Sequence, residues 1–219
     1  MDTKRDYFLL LIDVRSSTEL APTRVRRVMK RLESELRALR QRLRQQLALG
    51  LTISYGDEVA GLFFHAAPLF DTVAAVREVL RPDTSIRFVA AKGRIAVPST
   101  DIRKVGGPVF KGAAMAMQRA KKKKRFCSWH IGNPERDAAL NSLTEMSNMF
   151  IEEMTDYQWE VFRLIRKGMT GKAAAQELQK HPQSISDAIK RGKAHLVLEA
   201  ETTIGKVLEG IDQQEGIDS

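Results

Sequence analysis

Residues 55–63 read Tyr55-Gly56-Asp57-Glu58-Val59-Ala60-Gly61-Leu62-Phe63. Gly-Asp between two apolar runs is a short-range hairpin signal, because glycine enters the left-handed backbone region that a tight turn demands. The flanking runs, Leu51 to Tyr55 and Val59 to Phe64, then become two strands with acids at their joined tip. Another carboxylate, Asp13, ends the apolar run Tyr7-Phe8-Leu9-Leu10-Leu11-Ile12, which needs cover on both faces and so reads as a buried strand. Acids that end neighbouring strands can hold hard divalent cations, which makes Asp13, Asp57 and Glu58 the candidate metal ligands. The plainer alternative makes Asp13 a strand-end cap and Gly56-Asp57 a turn that only closes a hairpin.

The segments around the hairpin supply the rest of a layered fold. From Thr23 the residues Val25, Val28, Met29, Leu32, Leu36, Leu39, Leu43 and Leu47 recur every three or four positions, which predicts one long helix ended by Gly50. Pro68 to Leu80 predicts a second helix, broken at Arg81-Pro82-Asp83. Ile86 to Ala91, continued by Arg94 to Val97, reads as a strand, Gly106 to Lys123 as a third helix, and Arg125 to Ile131 as a short closing strand. The class is α/β (α+β): a ferredoxin-like βαββαβ core with an appended helix and strand. In that topology the first strand lies beside the hairpin, so Asp13 and Asp57 approach each other.

Charge divides the chain. The formal net charge is +9, yet residues 150–219 carry nine Lys/Arg against twelve Asp/Glu, so the first part holds all the excess. Two segments supply it, Arg24 to Arg44 and the run Lys121-Lys122-Lys123-Lys124-Arg125. Such faces meet nucleic acid, nucleotides or acidic partners, or are simply solvated helix faces. A single cysteine, Cys127, excludes an internal disulfide framework, and four scattered histidines make no zinc motif. No apolar run is long enough to span a bilayer and Met1 to Asp6 has no secretory pattern, which fits a reducing cytoplasm and no membrane.

The composition changes after Asn133-Pro134. The organisation read from it is a domain at 1–132, a connecting helix at 133–154, a helical domain at 155–204 and a tail at 205–219, disordered from Asp212. Within the helical part, Gly168 stops a helix starting near Asp156, Thr170 caps a short alanine-rich one, and His181-Pro182 precedes a third. Trp159 and Phe162 are expected in its core.

Four pieces in order resemble a class III nucleotide cyclase domain and, more remotely, the palm of GGDEF diguanylate cyclases. They are Ile12-Asp13-Val14-Arg15-Ser16-Ser17-Thr18, the Gly56-Asp57 turn 44 residues beyond Asp13, the strand Ile86 to Ile95, and Gly107-Pro108-Val109-Phe110-Lys111-Gly112-Ala113-Ala114. The resemblance implies that Asp13 and Asp57 clamp Mg²⁺ or Mn²⁺ with a nucleotide. It also implies that Arg15, Ser16, Ser17 and Thr18 offer N–H groups and hydroxyls to its phosphates. Departures from the pattern bear on turnover. The ribose-orienting Asn falls on Lys111, the charge-stabilising Arg on Met115 and the purine-selecting Lys on Ile53, so a degenerate site is expected, with Lys111 as the catalytic charge if it is active.

Residues 155–198 resemble the tri-helical region of sigma-factor and LuxR-type regulators, whose helix-turn-helix presents a recognition helix. There Ile185, Ile189 and Leu196 would pack inward, and Ser184, Ser186, Lys190, Arg191 and Lys193 would face DNA. The whole chain is similar to the SatD family of bacterial proteins, which joins such a hairpin to a terminal helix-turn-helix. The resulting expectation is a homodimeric, DNA-binding transcriptional regulator with a nucleotide-sensing domain. Its rivals are an active cyclase or nucleotidyl transferase, and a protein-interaction adaptor.

Overall fold

The computed structural model describes residues 1–15, 21–81 and 83–217. Five strands form one sheet in the order β2-β3-β1-β4-β5: β1 Asp6–Val14, β2 Leu47–Tyr55, β3 Glu58–Phe63, β4 Ile86–Arg94 and β5 Cys127–His130. The first four pair antiparallel, and β5 joins β4 in parallel. With α1 Pro22–Arg42 after β1 and α2 Pro68–Leu80 after β3, they make the ferredoxin-like core. Helix α3, Pro108–Lys122, and β5 are the appended pair.

Strand alternation divides β1 between the two faces of the sheet. Phe8, Leu10 and Ile12 point to one side; Tyr7, Leu9, Leu11 and Asp13 point to the other. The second set packs with Ala60, Leu62 and Val89 beneath Val109, Ala113, Ala116 and Met117 of α3. Burying each large apolar side chain contributes roughly 1.5–3 kcal/mol, so the row at 7, 9 and 11 anchors the register on which Asp13 depends. Gly107 permits the tight entry to α3. Its φ is +148°, and a Cβ there would stand 2.5 Å from the Ala96 nitrogen.

Helix α1 ends at Arg42, eight residues before the expected Gly50 stop. The apolar spacing does run on to Leu47, but Leu47 pairs with Phe63 and Thr52 with Ala60, so the ladder claims a segment that periodicity gives to the helix. Gly50 lies inside the irregular edge strand β2, where a Cβ would stand 3.0 Å from Cδ of Arg40.

Two compact units emerge, Met1–Asn141 with the stretch from Gly205 onward, and Ser142–Ile204. Helix α4, Pro134–Glu153, and helix α8, Ala194–Ile217, each contribute to both. The start of α4 belongs to the first unit because Asp137 accepts from the Ile131 N–H and Asn141 bonds both the N–H and the carbonyl of Trp129. Where a disordered tail was expected, α8 continues through Ile217. Asp212 on it accepts from the N–H groups of Ala66 and Ala67 at 2.6 and 2.9 Å, at the start of α2.

The second unit holds α5 Asp156–Arg166, α6 Gly171–Glu177 and α7 Pro182–Arg191. A capping box between Thr155 and Gln158 starts α5, and Thr170 caps α6. Val161, Ala174, Ala175, Ile185 and Ala188 bring the three helices together, with Trp159 and Phe162 in an adjoining cluster. Among the described residues no helix is long and apolar enough to cross a membrane.

Candidate functional site

The register builds an acid corner at the end of β1. Asp13 stands opposite Glu58 on β3 and opposite Arg87 on β4, so the three side chains form one row on the α3 face. The Gly56-Asp57 turn closes beside them, and the Asp57 carbonyl accepts from the Val14 N–H at 3.4 Å. Gly56 has φ +58° with open space where a Cβ would point, so glycine is favoured there for its backbone conformation alone.

Asp13 is only 7% exposed, and both of its oxygens face protein cations. The Lys121 ammonium, reaching over from the last turn of α3, lies 2.6 Å from Oδ1, and Nη1 of Arg87 lies 3.4 Å from Oδ2. Arg87 is itself held by a bond from its Nε to the Arg125 carbonyl. Burial pushes the Glu58 carboxyl above its ordinary value. The Ser54 hydroxyl and the Lys121 charge oppose that rise, while Asp13 and Asp57 add to it.

The corner therefore brings Asp13, Asp57 and Glu58 into one electrostatic neighbourhood, yet it does not fit a divalent ion. Both Asp13 oxygens face protein cations, and no group of three His, Cys, Asp or Glu side chains takes metal-holding positions among the described residues. The first-turn region is partly outside view: Ser16, Ser17 and Thr18 lie outside the described residues. Arg15 is visible, and its backbone N–H donates to the Ser85 carbonyl at 2.8 Å, while its own carbonyl accepts from the Thr84 hydroxyl. Lys111 is exposed on α3, as is Met115 at 54%. Ile53 is half-buried and lines a hollow of about 330 Å³ with Arg37, Arg40 and Thr52.

Sequence reasoning missed Arg87 and Lys121. The first stood in a quoted strand as a charge among Ile86, Phe88 and Val89, which was a signal for a buried ion pair. The second was hidden in a basic run read as one solvated or nucleic-acid-binding face. Only the position of α3 singles it out from its neighbours.

In the second unit α7 has a buried side and an exposed side. Ile185 and Ala188 are buried, while Ser184, Ser186, Lys190 and Arg191 are exposed. Gln183 and Asp187, joined by a bond of 3.1 Å, lie on that outer side as well and were not singled out from the sequence. Lys193 follows the helix with φ +52°, exposed, and its ammonium sits 4.4 Å from the centre of the Phe150 ring. Leu196 departs from expectation: it is 42% exposed, and Val197 takes the inward place because the turn at Gly192-Lys193 shifts the phase between α7 and α8.

No family model matches the chain, and no curated protein matches it. Among solved structures it is similar to a bacterial light-regulated adenylyl cyclase, with a TM-score of 0.41 and 11% identity over 57% of this chain and 42% of that one. A second structure of a bacterial light-regulated adenylyl cyclase gives 0.38 and 11%, over 57% of this chain and 74% of that one. A regulator of polyketide synthase expression from Bifidobacterium adolescentis gives 0.26 and 13%, over 92% and 86%. The chain thus spans less than half the length of the first cyclase chain, and at these scores the likenesses say nothing of activity. The assignment as a ferredoxin-like α/β core followed by a tri-helical unit stands on strand order and register.

Proposed function

We propose that the protein is a DNA-binding transcriptional regulator of the SatD type, in which a cyclase-like domain has given up metal-dependent turnover and serves as a regulatory module. The observation that carries the reading is α7. Its apolar residues are spent on the tri-helical core, and its outer side presents Ser184, Ser186, Lys190 and Arg191 with Gln183 and Asp187, groups able to meet base edges and phosphates.

The acid corner supports the loss of turnover. Phosphoryl chemistry of this class needs a metal and preorganised charge around the reacting phosphate. Here Lys121 and Arg87 hold Asp13, and Lys111, Met115 and Ile53 stand at the positions that the resemblance gives to ribose orientation, charge stabilisation and base selection. A nucleotide remains the ligand class proposed for the module.

Selection of genomic fragments by the wild-type chain and by a Lys190→Ala, Arg191→Ala double variant tests the DNA reading. The wild type is expected to enrich a defined sequence. The variant is expected to bind it more weakly by roughly 2–4 kcal/mol, at about 1–3 kcal/mol for each base-reading contact. No enrichment by the wild type, or equal enrichment by both, would make the second unit a packing module and favour the adaptor.

A further inference from the structure

We propose that Lys121 is a built-in cation which takes the place of a divalent ion at the corner formed by Asp13, Asp57 and Glu58, closing that corner to metal in the native chain. The inference rests on reading the first unit as a cyclase-like domain without turnover.

Register forces the problem that the lysine solves. Asp13 and Glu58 are direct cross-strand partners on one face, and the turn carrying Asp57 closes against β1. Like charges directly opposite each other destabilise a sheet, so a corner of this composition needs positive charge from elsewhere. A metalloprotein takes that charge from solution. This chain takes it from α3, whose position is fixed by Ala113, Ala116 and Met117 packing beneath the β1–β4 face.

The Lys121 ammonium lies 2.6 Å from Oδ1 of Asp13, whereas Ca²⁺ or Mg²⁺ would sit at about 2.0–2.6 Å from such an oxygen. Both cannot occupy that direction. Arg87 faces the other oxygen at 3.4 Å, so each oxygen of Asp13 already has a protein cation beside it. The Lys121 side chain is nearly half exposed, at 49%, and its ammonium meets Asp13. It is tethered in place, so its local concentration does not depend on the medium as that of a free ion does.

Mn²⁺ alone, followed by loss of its free-ion paramagnetic signal, is the probe. Wild type and Lys121→Arg are expected to bind it only weakly and alike. Lys121→Met is expected to bind Mn²⁺ at least about ten-fold more tightly than wild type, with the gain lost again on adding Asp13→Asn. Should Lys121→Met be poorly folded, Mn²⁺ must raise its melting temperature and leave that of the wild type unchanged. Equal Mn²⁺ binding by wild type and Lys121→Met, or no binding and no thermal rescue of Lys121→Met, overturns the proposal. Incubation of the wild type with each nucleoside triphosphate and Mn²⁺ separates the two levels. A cyclic or linear nucleotide product lost in Asp13→Ala would overturn the regulatory reading of the domain, whereas Mn²⁺ binding as tight as that of Lys121→Met, without product, would overturn the role of Lys121 alone.

Discussion

Glu58 carries a cost that its neighbours only partly relieve. Burial raises its carboxyl above the ordinary value of 4.5, and Asp13 and Asp57 push the same way, against the Ser54 hydroxyl and the Lys121 charge. A carboxyl whose folded value is raised binds its proton more tightly in the native state. Stability is therefore greatest below about pH 4.5 for this group and falls as pH rises through the folded value. Glu58→Gln keeps an acceptor for the Ser54 hydroxyl, now 3.2 Å from Oε1, and removes the ionisation. The variant is expected to melt above the wild type at neutral pH, with the gap closing as pH is lowered to about 4. Melting curves across that range check it, and a lower neutral-pH melting temperature for the variant would be the wrong sign. A different balance holds at Asp83. Burial there would raise the carboxyl, but hydrogen bonds from Arg24 and Arg27 and the charge of Arg31 outweigh it and hold the value low. Part of the basic α1 face is thus consumed in pinning the helix to the loop before β4.

Helix α2 begins without a local cap, since Ala67 stands at the N-cap position and offers no side-chain acceptor. The acceptor comes instead from Asp212, 145 residues away in the sequence, whose carboxylate takes the N–H groups of Ala66 and Ala67 and places negative charge at a helix N-terminus. Asp212→Ala is expected to lower stability by about 0.5–2 kcal/mol, the usual value of an N-cap, and Asp212→Asn by less. Urea denaturation of the full chain measures both. A neutral Asp212→Ala would mean that the end of α8 does not cap α2. In the second unit α6 and α7 have their own caps at Thr170 and His181, so local signals suffice there. This difference explains why the helical unit was easier to delimit from sequence than the last element of the first unit.

For the molecule as a whole, the charge asymmetry bears on the proposed DNA reading. The first part carries the basic excess, while residues 150–219 are slightly acidic, so on the proposed reading DNA affinity through the second unit rests on local clusters such as Lys190, Arg191 and Lys193 rather than on net charge. If the second unit is the proposed helix-turn-helix, two-fold assembly would present two recognition helices to two half-sites. Sedimentation is expected to give twice the chain mass at micromolar concentration. A single-chain mass there and with target DNA would exclude the homodimer.

The Gly-Asp hairpin, the buried first strand and the alternation of strands and helices were legible because each depends on neighbours in sequence: turn conformation, apolar runs and helical spacing. They defined the ferredoxin-like order and the meeting of Asp13 with the turn at Asp57. Capping and apolar spacing likewise delimited α5, α6 and α7. The end of α1 was not legible, because helical periodicity and strand pairing competed for residues 43–50 and the contact with β3 prevailed. Nor were the partners of Asp13. Arg87 lies 74 residues away and Lys121 more than 100, and nothing local distinguishes Lys121 from Lys122, Lys123 or Lys124. Packing of α3 against the sheet turns that one ammonium onto Asp13, a long-range contact that no local pattern in the sequence encodes.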